Sequence, residues 1–177
     1  LDPPGGFRVG SGYGFRHAVS FDGTDYVLAM VNLTLGAVYP LAVHVTRVTP
    51  AGVVREPIVI PAETSAWMTG LASRNGESLV VWTDGQNIWG ARVNRHGLVA
   101  QPRRLAESIG YVNWPQAAAV GSNYLVTWCR RDALPNFSFE ARIMGTRVAA
   151  DGTPIGTSVL ASSASAMYMD YPTIAAG

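Results

Sequence analysis

Three stretches of this chain repeat one another, and a repeat of this length constrains the architecture more than any single residue does. Asp22-Gly23-Thr24-Asp25-Tyr26-Val27-Leu28-Ala29-Met30, Asn75-Gly76-Glu77-Ser78-Leu79-Val80-Val81-Trp82 and Val120-Gly121-Ser122-Asn123-Tyr124-Leu125-Val126-Thr127-Trp128 are each a turn followed by a short apolar run ending in a large residue. Met30, Trp82 and Trp128 align, 52 and 46 residues apart. A second anchor follows each first one: Arg47-Val48 leads to Gly52, Arg92-Val93 to Gly97 and Arg147-Val148 to Gly152. The step from this glycine to the next large anchor is 30 residues and then 31, whereas the step from first anchor to second is 17, 10 and 19. One segment is fixed in length and one loop varies, as in modules that share a packed core and differ at the surface.

Each module holds four candidate strands bounded by turn residues. The first gives 17–21, 26–31, 41–48 and 58–60; the second 68–72, 78–82, 87–93 and 103–106; the third 116–119, 124–128, 142–148 and 158–160. No segment keeps apolar residues at helical spacing over ten or more positions. Four strands in about 50 residues, repeated, is the pattern of β-propeller blades. The predicted fold is therefore all-β, a propeller segment of about three four-stranded blades (approximately 16–61, 68–106 and 115–160) within a single unit spanning 1–177. Residues 1–15 read as the end of a preceding blade. Tyr171-Pro172-Thr173-Ile174-Ala175-Ala176-Gly177 matches the approach to the third blade and reads as the first strand of a fourth.

Pro115 through Gly152, with Tyr124-Leu125-Val126-Thr127-Trp128 and Arg147-Val148-x-x-x-Gly152 inside it, resembles the tandem propeller repeats of secreted bacterial proteins. The resemblance implies architecture and a secreted or cell-surface setting, and no activity. The Gly-Gly pair of Kelch-like repeats and the WD dipeptide are absent. Ser20-Phe21-Asp22-Gly23-Thr24 only faintly resembles the Asp box of sialidases.

Three blades make an open arc, and propellers close with four to eight. Exposed blade faces rich in Val, Leu, Ile and Trp need covering. The expectation is a fragment of a larger propeller whose partners are complementary blades, from another chain or from the rest of one precursor. Closure by two copies of the arc is the rival.

Composition narrows the function classes. The chain has 177 residues, is 48% hydrophobic and 14% charged, and carries a formal net charge of +1, with arginine as its only strong base. That is too apolar for disorder and shows no basic excess for nucleic acid. No apolar run reaches the length of a spanning helix. A single cysteine, Cys129, permits no internal disulfide and reads as a small buried filler. His17, His44 and His96 are widely spaced, and no oxygen cluster suits calcium, so no metal or cofactor is expected. Asn32-Leu33-Thr34 and Asn136-Phe137-Ser138 are sequons that occur at about chance frequency.

The candidate site is aromatic. Tyr111 and Trp114 precede Pro115, Tyr168 and Tyr171 precede Pro172, and the corresponding approaches hold Tyr13, Phe15 and Trp67. In a propeller these segments would cross from one blade's outer strand to the next blade's inner strand, ringing one face of the channel. There they could stack on sugars, meet a protein partner, or simply wedge between blades. No Gly-x-Ser-x-Gly elbow or phosphate loop is present, and no acid pair at glycosidase spacing can be nominated from twelve acids scattered over turns. Arg47, Arg92 and Arg147 recur at one position per module and read as structural. The main expectation is a non-enzymatic binding or scaffold module for a carbohydrate or protein. The alternatives are part of a propeller hydrolase or lyase whose acids lie in other blades, and a structural subunit of an extracellular assembly.

Overall fold

A computed structural model describes residues 6, 9, 13–33, 42–108, 110–135, 139–163 and 172–174. Twelve strands form three separate four-stranded antiparallel sheets, each a simple meander. The first sheet is β1 (Tyr13–Phe21), β2 (Tyr26–Leu33), β3 (Ala42–Val48) and β4 (Ile58–Pro61). The second is β5 (Trp67–Arg74), β6 (Glu77–Thr83), β7 (Asn87–Asn94) and β8 (Gly97–Glu107). The third is β9 (Tyr111–Val120), β10 (Asn123–Ala133), β11 (Phe139–Val148) and β12 (Pro154–Ser163).

Alternation of side chains explains why the sheets stack. Along β2, Val27, Ala29 and Val31 are fully buried, while Tyr26 on the other face is half exposed. Along β6 both faces are buried: Val80 and Trp82 join Val27, Ala29, Val43 and Ile60 in one core, and Leu79 and Val81 join Tyr124, Val126 and Trp128 in the other. The second sheet is thus sandwiched face to face between the first and third. The aligned anchors Met30, Trp82 and Trp128 all point toward the preceding position in the stack. Trp82 and Trp128 fill an interface there. Met30 lies on the face of the first sheet that no other described sheet covers, with Val19 61%, Phe21 49% and Tyr26 48% exposed. The arc is open at that face.

Turn chemistry holds the modules in register. Gly52, Gly97 and Gly152 have φ of 81°, 131° and 88°, which explains why glycine recurs after each Arg-Val. Asp22 Oδ1 accepts from the Thr24 and Asp25 amides at 2.9 and 2.8 Å, and Asp84 Oδ1 from Gln86 and Asn87 at 2.9 and 2.7 Å. These aspartates have the local turn role their positions suggest.

The first strands of the sheets, β1, β5 and β9, lie side by side along the axis of the arc. Their approach is close: a methyl group at Gly70 on β5 would come 2.6 Å from the Pro115 carbonyl oxygen and 2.8 Å from Gln116 Cα on β9. Each inner strand also carries a bulge at the same level. The register shifts between Phe15 and His17, between Trp67 and Thr69, and opposite the Thr127–Cys129 step. Met68 and Trp114 occupy two of these bulges with φ of 48° and 53°.

The inner strands are longer than the sequence pattern suggests. They begin at Tyr13, Trp67 and Tyr111, so Tyr13, Phe15, Trp67, Tyr111 and Trp114 belong to the inner strands themselves, not to crossovers. The physical reason is the bulge: it interrupts the two-residue alternation, and the strand resumes upstream of it. Of the expected fourth-blade strand, residues 172–174 are described and are not in a strand, while 171 and 175–177 lie outside the described residues.

Candidate functional site

The bulged level of the inner strands opens a cleft of about 230 Å³ lined by His17, Met68, Thr69, Trp114, Pro115, Gln116, Pro172 and Thr173. Each of the three inner strands contributes, and so does the described segment 172–174. The bulges make this cleft. A residue inserted in only one of two paired strands bends that strand and re-aims its side chain. The left-handed backbone at Met68 and Trp114 costs on the order of 1–3 kcal/mol each, and packing around the axis must hold it in place.

Trp114 is the largest side chain in the cleft. The Arg131 guanidinium carbon sits 4.9 Å from its ring centroid. Arg131 stands opposite Tyr111 in the β9–β10 pairing. Thr69 Oγ1 donates to the Ala29 carbonyl at 3.0 Å, tying the second inner strand to the first sheet. Beyond the bulge, Thr83 Oγ1 donates to the Val112 carbonyl at 3.2 Å, and the Val112 amide donates to the Gly85 carbonyl at 2.9 Å. Tyr111 lies over Gly85, close enough that a β-carbon there would stand 3.2 Å from its ring. Its ring bridges two sheets, yet the residue is 57% exposed at the rim.

The carboxylates near this end of the sheets are occupied by their own neighbours. Asp84 accepts from the Asn87 side chain at 2.9 Å, from Trp89 Nε1 at 2.8 Å and from Thr64 Oγ1 at 3.3 Å. Burial pushes its carboxyl up, but the bonds from Asn87, Trp89 and Gln86 outweigh this and hold it below the ordinary carboxylate range. Asp132 pairs with Arg130 at 2.8 Å and Arg142 at 3.5 Å, and Glu140 pairs with Arg142 at 2.7 Å. Among the described residues, no carboxylate lines the cleft.

A second cleft, about 460 Å³, lies at the opposite ends of the strands among Asp22, Thr24, Asp25, Arg47, Asn75, Gly76, Glu77, Asn94, Arg95 and His96. Its charges compensate one another. Arg47 is buried, pairs with Asp22 and lies 3.5 Å from Asp25. Burial and the charge of Arg95 both lower its pKa. Arg92 pairs with Glu77. These pairs lock the first and second sheets at their turns, the structural role expected of the repeated arginines. Arg147 departs from it and is exposed. Where the first two modules carry Asp25 and Glu77, the third carries Asn123, which supplies no carboxylate.

Of the sequence-derived candidates, Trp114 lines the cleft, and Tyr111 and half-buried Trp67 stand at the same end of the inner strands. Tyr13 and Phe15 lie at that end of β1 by their backbone position. Tyr168 and Tyr171 lie outside the described residues, as do Thr34 and residues 136–138 of the two sequons. Sequence reasoning missed His17, Met68, Thr69 and Gln116. Their only shared signal is proximity to the bulge, which no residue type marks. Cys129 is buried, and burial raises its thiol pKa against the opposing effect of Arg131, so it is the inert filler expected. Among the described residues no three His, Cys, Asp or Glu side chains gather as a metal would require. None forms a helix long and apolar enough to cross a membrane.

No family model and no curated protein matches the chain. Two solved structures share its arrangement of sheets. One is the Bacteroides ovatus Xyloglucan PUL GH43B, with a TM-score of 0.58 and 14% identity over 88% of this chain and 30% of that one. The other is a GH43 endo-arabinanase from Bacillus licheniformis, with a TM-score of 0.56 and 13% identity over 82% of this chain and 59% of that one. The fold is that of a β-propeller. At these identities the likeness is one of fold, and this chain spans 30% of the first neighbour and 59% of the second, less than two thirds of either. Both neighbours are glycoside hydrolases, and this corrects the expectation of a non-enzymatic binding or scaffold module. The reading as part of a propeller hydrolase, held above as an alternative, is the better supported of the two.

Proposed function

We propose that this chain supplies blades of a propeller glycoside hydrolase, with the axial cleft at Trp114 forming part of its saccharide site. The observation that carries this is the position of that cleft: three inner strands, bulged at one level, line it with an indole and the polar groups of His17 and Gln116. Flat apolar rings and a few placed polar groups are what sugar binding uses. Hydrolysis of a glycosidic bond needs two carboxyl groups about 5–10 Å apart. Among the described residues the cleft provides none, so the proposal assigns the acids to chain outside these three blades. The uncovered face at Val19, Phe21 and Tyr26 is where such a blade would pack. A secreted or cell-surface setting belongs to the same proposal, because polymeric glycans are met outside the cell.

The test is titration of the chain with xyloglucan- and arabinan-derived oligosaccharides, read by tryptophan fluorescence. Saturable quenching that Trp114→Ala removes, without hydrolysis by the chain alone, is the expected result. Binding unchanged in Trp114→Ala, or no binding of any glycan, overturns the site. Turnover by the chain alone overturns the placement of the acids.

A further inference from the structure

Tyr111 stands apart from the other aromatic residues at this end of the sheets. It is the first residue of β9 and is 57% exposed, while Val112 beside it is fully buried and fills the seam between the second and third blades. Tyr111 is therefore not a wedge between blades. Its ring leans on Gly85, in the β6–β7 turn of the neighbouring sheet, where a β-carbon would stand 3.2 Å from a ring carbon. That backing is rigid. The Gly85 amide donates to Thr83 Oγ1 at 2.9 Å, and the Gly85 carbonyl accepts from the Val112 amide at 2.9 Å. Asp84 fixes the same turn by accepting from the Gln86 and Asn87 amides at 2.9 and 2.7 Å. Gly85 holds a φ of 97°, a conformation that favours glycine, and its missing side chain is what lets a ring rest against the turn. Among the described residues, no second ring stacks on Tyr111. One side of the ring is held by backbone and the remainder is open to solvent.

We infer that Tyr111 is a second contact for a saccharide chain: one end of the chain occupies the axial cleft, and a later unit rests its apolar face on the Tyr111 ring. This rests on the saccharide reading above and deepens it, because it makes the ligand an oligo- or polysaccharide crossing the seam of the second and third blades, not a single sugar. Tyr111 lies outside the cleft, three residues before Trp114 on the same strand. Three residues of strand span at most about 10 Å, within reach of the third unit of a bound chain. The apolar face of a sugar ring covers an aromatic ring without needing a charge or a fixed hydrogen bond. A side chain already ordered by its backing loses little freedom on binding. Tyr111 is then a specificity-determining residue that selects by chain length, and no bond-making step is assigned to it.

The experiment titrates the full chain by calorimetry with the disaccharide and the hexasaccharide of two series, the glucan backbone of xyloglucan and arabinan. In at least one series the hexasaccharide should bind about tenfold more tightly than the disaccharide, as one added aromatic contact provides. Tyr111→Ala should remove that gain and leave the affinity for the disaccharide unchanged, which also shows that the variant is folded. Tyr111→Leu, which keeps apolar bulk against Gly85 and lacks a flat ring, should lose the gain as well, whereas Tyr111→Phe should keep it. Equal affinity for the two lengths, a gain that survives in Tyr111→Ala and Tyr111→Leu, or a disaccharide weakened in both variants overturns the assignment of Tyr111 while leaving the cleft standing. Failure of both series at both lengths overturns the saccharide reading itself.

Discussion

Gly70 is the tightest point between the second and third blades, and a single methyl group tests how the axis is built. In Gly70→Ala the new Cβ would stand 2.6 Å from the Pro115 oxygen, 2.8 Å from Gln116 Cα and 2.9 Å from Val81 Cγ2. Two of these atoms are backbone and cannot rotate aside. Relief requires β9 to shift away from β5 by several tenths of an ångström. Forcing extra volume into a packed site costs about 1–3 kcal/mol. Gly70 has no left-handed φ, so alanine fits its backbone, and the loss of chain entropy in the unfolded state returns about 0.4–1 kcal/mol. The net loss is about 1–2 kcal/mol, a drop in melting temperature of about 2–8 °C for a chain of this size. Gly90→Ala is the comparator. Its Cβ would meet the Leu105 side chain at 2.6 Å, and a side chain can repack. Thermal unfolding of both variants should show the larger loss at Gly70. Because Thr69, Pro115 and Gln116 line the cleft, Gly70→Ala should also weaken glycan binding. A Gly70→Ala protein as stable as the parent, or more stable than Gly90→Ala, would refute the close approach of the inner strands.

Trp128→Ala should cost about 3–5 kcal/mol by urea unfolding, because the indole is 2% exposed between two sheets. Met30→Ala, at the aligned position on the uncovered face, should cost under about 1 kcal/mol; equal costs would contradict the stacking. Asp84→Ala removes the acceptor of Trp89 Nε1 and of the Asn87 side chain and should destabilise by about 1–3 kcal/mol, whereas Asp84→Asn, which keeps one oxygen for the turn, should lose less. Burial holds the His44 imidazole below its ordinary value of 6.5, so its contribution to stability is full above pH 6.5 and is lost as pH falls through the folded value. His44→Gln should flatten the decline in melting temperature between pH 7 and 5 (about the range in which histidine titrates); an unchanged slope would assign that decline to other groups.

What could be read from the chain and what could not divide along a physical line. Features that act through one residue's own backbone or through strict alternation were legible. Glycine recurs at 52, 97 and 152 because each turn needs a positive φ. The apolar run ending at Trp82 reads as a strand, and β6 spans it with both faces covered. Arg147 was misread as the structural equal of Arg47 and Arg92, although Asn123 stands where Asp25 and Glu77 offer carboxylates. The cleft was not legible, because it is made by a defect in the alternation. Arg16, Met68 and Trp114 share no chemistry, yet each sits at the inner-strand bulge, and two of them take a φ that side chains of their size avoid. Reading by alternation therefore started the inner strands near the bulge, at His17, Met68 and Gln116, and left the aromatic residues upstream in imagined crossovers. The same misplacement favoured a binding surface over an enzyme: the rings were set on crossovers around one face of the channel, with no acids nominated among them. The backbone constraint that hid the site is also what defines it, since relaxing Met68 or Trp114 to an extended conformation would restore the alternation and turn the side chains that open the cleft.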